Sequence, residues 1–195
     1  MKFIDLYAGT GGFRLGMEQN GHECVWSCEK NEFAVKSYEA IFEDKIDAKD
    51  VRDVESKEIP EFEVLCAGFP CESFSIAGKR EGFRNIKGTL FFEITRIARE
   101  KLPRILLLEN VKGLLSNSSG ETFRTILKTL DGIGYQCQWQ VLNSKDFGLL
   151  QNRERVYIVG YLRGRGRREV FPIRKKTKKI FKDDSFFLIH NVYGG

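Results

Sequence analysis

Apolar residues along this chain come in short runs separated by stretches of helical spacing. Phe3-Ile4-Asp5-Leu6-Tyr7 predicts a buried strand and Glu23 to Cys28 a second. The run Phe62-Glu63-Val64-Leu65-Cys66-Ala67 is rich in β-formers, and Ile105-Leu106-Leu107-Leu108 is continuous, as in strands buried on both faces. Tyr135-Gln136-Cys137-Gln138-Trp139-Gln140-Val141 alternates strictly, which predicts a strand with one polar face at a sheet edge. Val156-Tyr157-Ile158-Val159 predicts a last strand, and a weaker one is expected over 45–51. Helical spacing fits Phe13 to Gln19, then Phe33, Ala34, Tyr38, Ile41 and Phe42. It returns at Leu90, Phe91, Ile94, Ile97 and Ala98 before Pro103, and at Phe123, Ile126, Leu127 and Leu130 before Gly132. Strands alternating with helices predict an α/β fold: a doubly wound sheet, mostly parallel with an antiparallel edge strand. Its function is expected at the C-terminal strand ends.

Composition changes this picture little, and charge changes it more. A chain of 195 residues with 42% hydrophobic and 30% charged residues is an ordinary globule of about one domain. Asp5 interrupts the first apolar stretch, which argues against a signal peptide, and no run approaches the roughly 18 residues of a membrane span. Five cysteines, an odd number, suit a reducing cytosol better than a disulfide framework. The formal charge of +5 is concentrated: residues 163–182 hold ten Lys/Arg and one Glu, leaving the remainder net acidic. Nucleic acid is the natural partner for such a run, and a solvated connector is the alternative.

Candidate chemistry gathers at strand ends. Gly68-Phe69-Pro70-Cys71 follows the third strong strand; Gly68 permits a turn, and Pro70 stiffens the backbone before a thiol placed for nucleophilic attack. Cys71 can equally be a small buried hydrophobe. Gly9-Thr10-Gly11-Gly12 follows a strand and opens a helix, a setting for nucleotide binding or for tight packing. Glu29 lies 20 residues after Gly9 at the end of the next strand, where a carboxylate can accept ribose hydroxyls. The compressed glycine spacing argues against a dinucleotide. Residues 72–88 lack sustained periodicity and carry Lys79, Arg80, Arg84 and Lys87, with Ser73 and Ser75, so they read as a binding loop or a disordered insertion. Glu109-Asn110 ends a strand and reads as a functional carboxylate or a helix-capping pair. Alternation puts Arg153 and Arg155 on one side before the last strand, suited to a phosphate, a polarised carbonyl or surface ion pairs.

Together these stretches resemble the DNA (cytosine-5)-methyltransferase family. Phe3-Ile4-Asp5-Leu6-Tyr7-Ala8-Gly9-Thr10-Gly11-Gly12-Phe13 resembles its cofactor motif, and Gly68-Phe69-Pro70-Cys71 with Phe74-Ser75 its catalytic motif. Glu109-Asn110-Val111 and Gln151-Asn152-Arg153-Glu154-Arg155 resemble two more, in the family's order. The resemblance implies a Rossmann-like fold, S-adenosylmethionine as cofactor, double-stranded DNA as partner, and no metal. It implies Cys71 as nucleophile on a flipped-out cytosine, Glu109 on the ring nitrogen beside the carbonyl, Arg155 on the carbonyl oxygen, and Arg153 nearby. For the cofactor it implies Phe13 on the adenine, Glu29 on the ribose and Asp50 on the adenine amino group, with Gly9, Gly11, Gly12 and Pro70 lining the site. Residues 1–162 would form the catalytic and cofactor domain, and 163–195 a basic connector or the start of a target-recognition region. Glu72 stands where the family usually has Gln, and nothing matches the family's target-recognition and C-terminal motifs. The expectation is a bacterial cytosolic enzyme of restriction–modification type, with a second polypeptide as target reader. A subunit without turnover of its own and an enzyme acting on tRNA are the alternatives.

Overall fold

The computed structural model describes residues 1–70, 90–166 and 169–174. In chain order these form β1 (Lys2–Leu6), α1 (Gly12–Glu18), β2 (Glu23–Cys28), α2 (Glu32–Phe42) and β3 (Val64–Gly68). Then come α3 (Leu90–Lys101), β4 (Ile105–Val111), α4 (Glu121–Gly132), β5 (Tyr135–Asn143) and β6 (Glu154–Leu162). The six strands make one sheet in the order β2-β1-β3-β4-β6-β5. The first four in that order are parallel; β6 runs antiparallel to β4, and β5 antiparallel to β6. The alternating stretch is the edge strand, held by an antiparallel ladder, and the strand of reversed direction is β6 beside it.

Side-chain alternation divides the core between the two sheet faces. Ile4, Leu6, Leu65, Ala67, Leu106 and Leu108 pack with Phe91, Ile94 and Ile97 of α3 and Ile126 and Leu130 of α4. Burying each such side chain contributes about 1.5–3 kcal/mol. The opposite face carries Phe3, Val64 and Cys66, packed against Phe13 and Met17 of α1. None of the seven residues of α1 is fully buried. Ile105 and Leu107 on this face are accordingly only half-buried, so β4 is not equally covered on both sides.

One stretch departs from the sequence expectation. The weak strand over 45–51 is reduced to a single parallel bridge between Asp47 and Cys28. The Asp50 side chain then accepts from the Arg52 N–H and caps a 3-10 turn, Val51–Asp53, so the carboxylate competes with the ladder for backbone donors. Asp5 is a charged residue inside the core. It lies on β1 between Ser27 and Cys66, fully buried, and neither carboxylate oxygen has a hydrogen-bond partner among the described residues. Burial pushes its carboxyl up to about 8, with nearby Arg14 opposing the rise and Glu29 adding to it.

Candidate catalytic and cofactor site

Parallel pairing of β3 and β4 sets Gly68 beside Glu109 at the ends of the two strands. A Cβ at Gly68 would lie 3.6 Å from Glu109 Oε2 and 3.9 Å from the Phe13 ring, so glycine lets the carboxylate and the ring close in. Beyond Gly68, Phe69 is buried against Phe91 and its carbonyl accepts from Asn110 Nδ2 at 2.8 Å. Asn110 therefore anchors the turn toward the thiol. Among the described residues the 3-10 turn that follows Val111 has no side-chain cap, so the pair does not cap it.

The reversed direction of β6 brings its first residues to this same edge. Arg155 Nε donates to Glu109 Oε1 at 2.9 Å, and Arg153 Nη2 stands 3.9 Å from that oxygen. Burial pushes the Glu109 carboxyl up, while Arg155 and then Arg153 pull it down. In the ladder Glu109 faces Tyr157, whose phenol is also raised by burial and by Glu109. The approach to β6 is tied down at three points. Ser144 N donates to Arg153 O at 3.1 Å, Ser144 Oγ to Gln151 O at 2.6 Å, and Asn143 Nδ2 to Asn152 Oδ1 at 2.7 Å. A concavity beside the pair is lined by Leu142, Ser144, Phe147, Arg153, Arg155, Tyr157 and Ile173. Sequence reasoning missed Tyr157; its place directly upstream of Ile158 on the arginines' side was the available signal.

At the other end of the same edge, Glu29 closes the glycine turn. Its Oε2 accepts from Gly9 N at 3.0 Å and its Oε1 from Asn31 N at 2.8 Å. The glycines divide by role. Among the described residues a Cβ at Gly9 or Gly12 meets nothing within 4 Å, which leaves the backbone there open to a ligand. At Gly11, with φ +90°, a Cβ would sit 2.1 Å from the Phe42 ring. That glycine is required by packing of the turn against α2. A small cavity joins Glu29, Lys30, Lys49, Asp50 and Val51 to Tyr7, Cys28 and Leu90. Tyr7 Oη donates to Leu90 O at 2.7 Å, a contact across 83 residues that no local pattern announces. Asp50 is held by Arg52 Nε at 2.9 Å and Nη2 at 2.6 Å and by Lys30 Nζ at 3.5 Å. Arg52 keeps this carboxyl well below the usual carboxylate range.

Carboxylates at two adjoining loop ends, an open glycine backbone and a half-buried Phe13 form a donor and acceptor set that fits an adenosine group. Pro70 is exposed at the end of the described turn, while Cys71, Ser73, Ser75, Lys79, Arg80, Arg84 and Lys87 lie outside the described residues. Among the described residues no group of His, Cys, Asp and Glu is arranged to hold a metal, and no helix is long and apolar enough to cross a membrane.

The family model for C-5 cytosine-specific DNA methylase matches residues 1–192. The chain belongs to that family. Curated relatives include the Type II methyltransferase M.HhaI of Haemophilus parahaemolyticus, 46% identical over 82% of this chain and 48% of that protein. M.HpaII of Haemophilus parainfluenzae is 49% identical over 84% of this chain and 47% of its own, and M.SsoII of Shigella sonnei 46% identical over 98% and 52%. The chain thus spans about half the length of the curated relatives it matches. Among solved structures, the S. pombe Dnmt2 methyltransferase superposes with a TM-score of 0.70 at 20% identity, covering 86% of this chain and 52% of that one. The Entamoeba histolytica methyltransferase EhMeth does so with 0.70 at 20%, covering 92% and 57%. At that identity the likeness speaks to the fold: the doubly wound, Rossmann-like sheet of methyltransferases.

Proposed function

We propose that this chain carries methyl transfer from S-adenosylmethionine to carbon 5 of cytosine in DNA, as the modification arm of a restriction–modification system. The observation that carries the reading is the Glu109–Arg155 pair at 2.9 Å, on the strand end beside the turn that leads to Cys71. In this reading Cys71 Sγ bonds to carbon 6 of the base and makes carbon 5 nucleophilic. Once carbon 5 has taken a methyl group, and the sulfonium donor has left as a thioether, loss of the carbon 5 proton to a general base breaks the sulfur–carbon bond and returns the thiolate. S-adenosylmethionine, when bound, supplies the electrophilic methyl group that carbon 5 accepts.

Glu109 holds the ring nitrogen beside the carbonyl. Its raised pKa suits a carboxyl that shares a proton with that nitrogen as charge develops. Arg155 meets the carbonyl oxygen while keeping Glu109 in place, and Arg153 guards the outer side. A stacked base cannot reach this edge, so the cytosine leaves the duplex. Glu29 takes the ribose hydroxyls, Phe13 the adenine face, Gly9 and Gly12 the approach of the cofactor, and Asp50 the adenine amino group by sharing its bonds from Arg52. Residues 1–162 form the working domain, in the cytoplasm, with double-stranded DNA as partner and a second polypeptide as carrier of target recognition.

The test is transfer of labelled methyl groups from S-adenosylmethionine to cytosine-containing duplex DNA, with Cys71→Ser and a tRNA substrate in parallel. Incorporation into DNA that vanishes in Cys71→Ser is expected. Incorporation confined to tRNA overturns the substrate, and incorporation that survives in Cys71→Ser overturns the nucleophile.

A further inference from the structure

The polar face of β5 has no part in the chemistry above, although strict alternation sets Gln136, Gln138 and Gln140 along it. Two of these glutamines hold the chain that follows β6. Gln138 Oε1 accepts from Val170 N at 3.0 Å. The Gln140 amide pairs reciprocally with Ile173: Oε1 accepts from Ile173 N at 2.7 Å, and Nε2 donates to Ile173 O at 3.0 Å. That pair reproduces with a side chain what a neighbouring strand offers with its backbone.

Gln140 is also in line with the reacting residues. Cross-strand pairing places Gln140 opposite Tyr157, and Tyr157 opposite Glu109, so the three side chains form one row across β5, β6 and β4 on the same face. Ile173, held by Gln140, then forms a wall of the concavity that contains Arg153, Arg155 and Tyr157. Surface glutamines gain little from scattered contacts, but a side-chain amide that satisfies both backbone groups of one residue fixes where that residue sits.

Resting on the function proposed above, we infer that Gln138 and Gln140 are positioning residues: they clip segment 169–174 over β5 so that Ile173 walls the DNA-facing concavity beside Glu109 and Arg155. The clip acts through Ile173 and touches no reacting atom.

The test joins two readouts on the full chain. Amide hydrogen exchange at Val170 and Ile173 is followed in the wild type, in Gln138→Met/Gln140→Met, which keeps length and removes the partners, and in Gln140→Glu, which keeps an acceptor for Ile173 N. The Met pair is expected to lose protection at both amides by about tenfold or more while β1 and β3 amides keep theirs, and Gln140→Glu to retain it at Ile173. In methyl transfer to duplex DNA the Met pair is expected to raise KM for DNA about tenfold with kcat within about twofold and cofactor affinity unchanged. Unchanged protection in the Met pair overturns the clip, and lost protection with unchanged KM overturns its role in the DNA wall. A wild-type chain that transfers no methyl group to DNA counts against the proposed function and the wall together, while the exchange readout still decides the clip.

Discussion

The Asn110 amide donates to the carbonyl of Phe69 at 2.8 Å, fastening the end of β4 to the turn that leaves β3. Both residues are 2% exposed, so water does not replace the bond if it is lost. Asn110→Ala is expected to cost about 1–3 kcal/mol by leaving that carbonyl unsatisfied. Urea unfolding measures this cost, and kcat should fall along with it because the turn toward Cys71 loses its anchor.

Glu109→Gln keeps the size of the side chain and removes its charge. On the proposed mechanism we expect kcat to drop about 10²–10³-fold with S-adenosylmethionine affinity unchanged, since the loss would fall on the charge that develops in the ring. Single-turnover kinetics and calorimetric titration of the cofactor separate the two. In Arg155→Ala the largest opposing influence is gone, so the Glu109 carboxyl should titrate still higher, as seen by carbon-13 NMR of labelled glutamate.

The two neighbouring glycines of the first turn should respond in opposite ways. Gly11→Ala drives a Cβ to 2.1 Å from the Phe42 ring at φ +90°, and an expected cost of about 2–4 kcal/mol should appear as a lower Tm. Gly12→Ala meets no described atom within 4 Å at a helical position, so Tm should hold or rise slightly while cofactor affinity weakens about tenfold.

Asp5 makes stability depend on pH in a direction opposite to most carboxylates. Its folded pKa of about 8 exceeds the unfolded value of 3.8, so between these values the native state binds more protons than the unfolded chain. This group's contribution is therefore fully present below about pH 4 and is lost as pH rises toward 8, with a slope of up to about 1.4 kcal/mol per pH unit. Asp5→Asn should remove that slope. Chemical denaturation of both proteins from pH 5 to 9 reads the difference; parallel curves would refute the assignment.

Local regularity made most of the framework legible. Each strong strand is a largely apolar or alternating run, and each helix repeats its apolar positions, so tertiary contacts moved only their ends, lengthening β4, β5 and β6 beyond the apolar runs that announce them. The stretch over 45–51 failed because Asp50 offers the backbone a closer partner than a neighbouring strand does. Glu109, Arg153 and Arg155 were identifiable as strand-end charges, and the structure brings them together; the fastening role of Asn110 was hidden because its partner is 41 residues away. Gly11 was grouped with its neighbours because a glycine needed for a ring and one needed for a ligand look alike in sequence. Tyr7, Leu90 and the Gln140–Ile173 clip depend on pairs that only the folded sheet sets side by side.

β6 enters the sheet at the edge where β3 and β4 leave it. Its arginines consequently stand at the mouth of the strand, and they differ in how they are mounted. Arg155 is locked into the ladder opposite Val111, whereas Arg153 hangs on the preceding loop through Ser144. One guanidinium is part of the chassis and the other rides on the suspension, so sequence drift in residues 144–152 can retune the outer charge without disturbing the inner one.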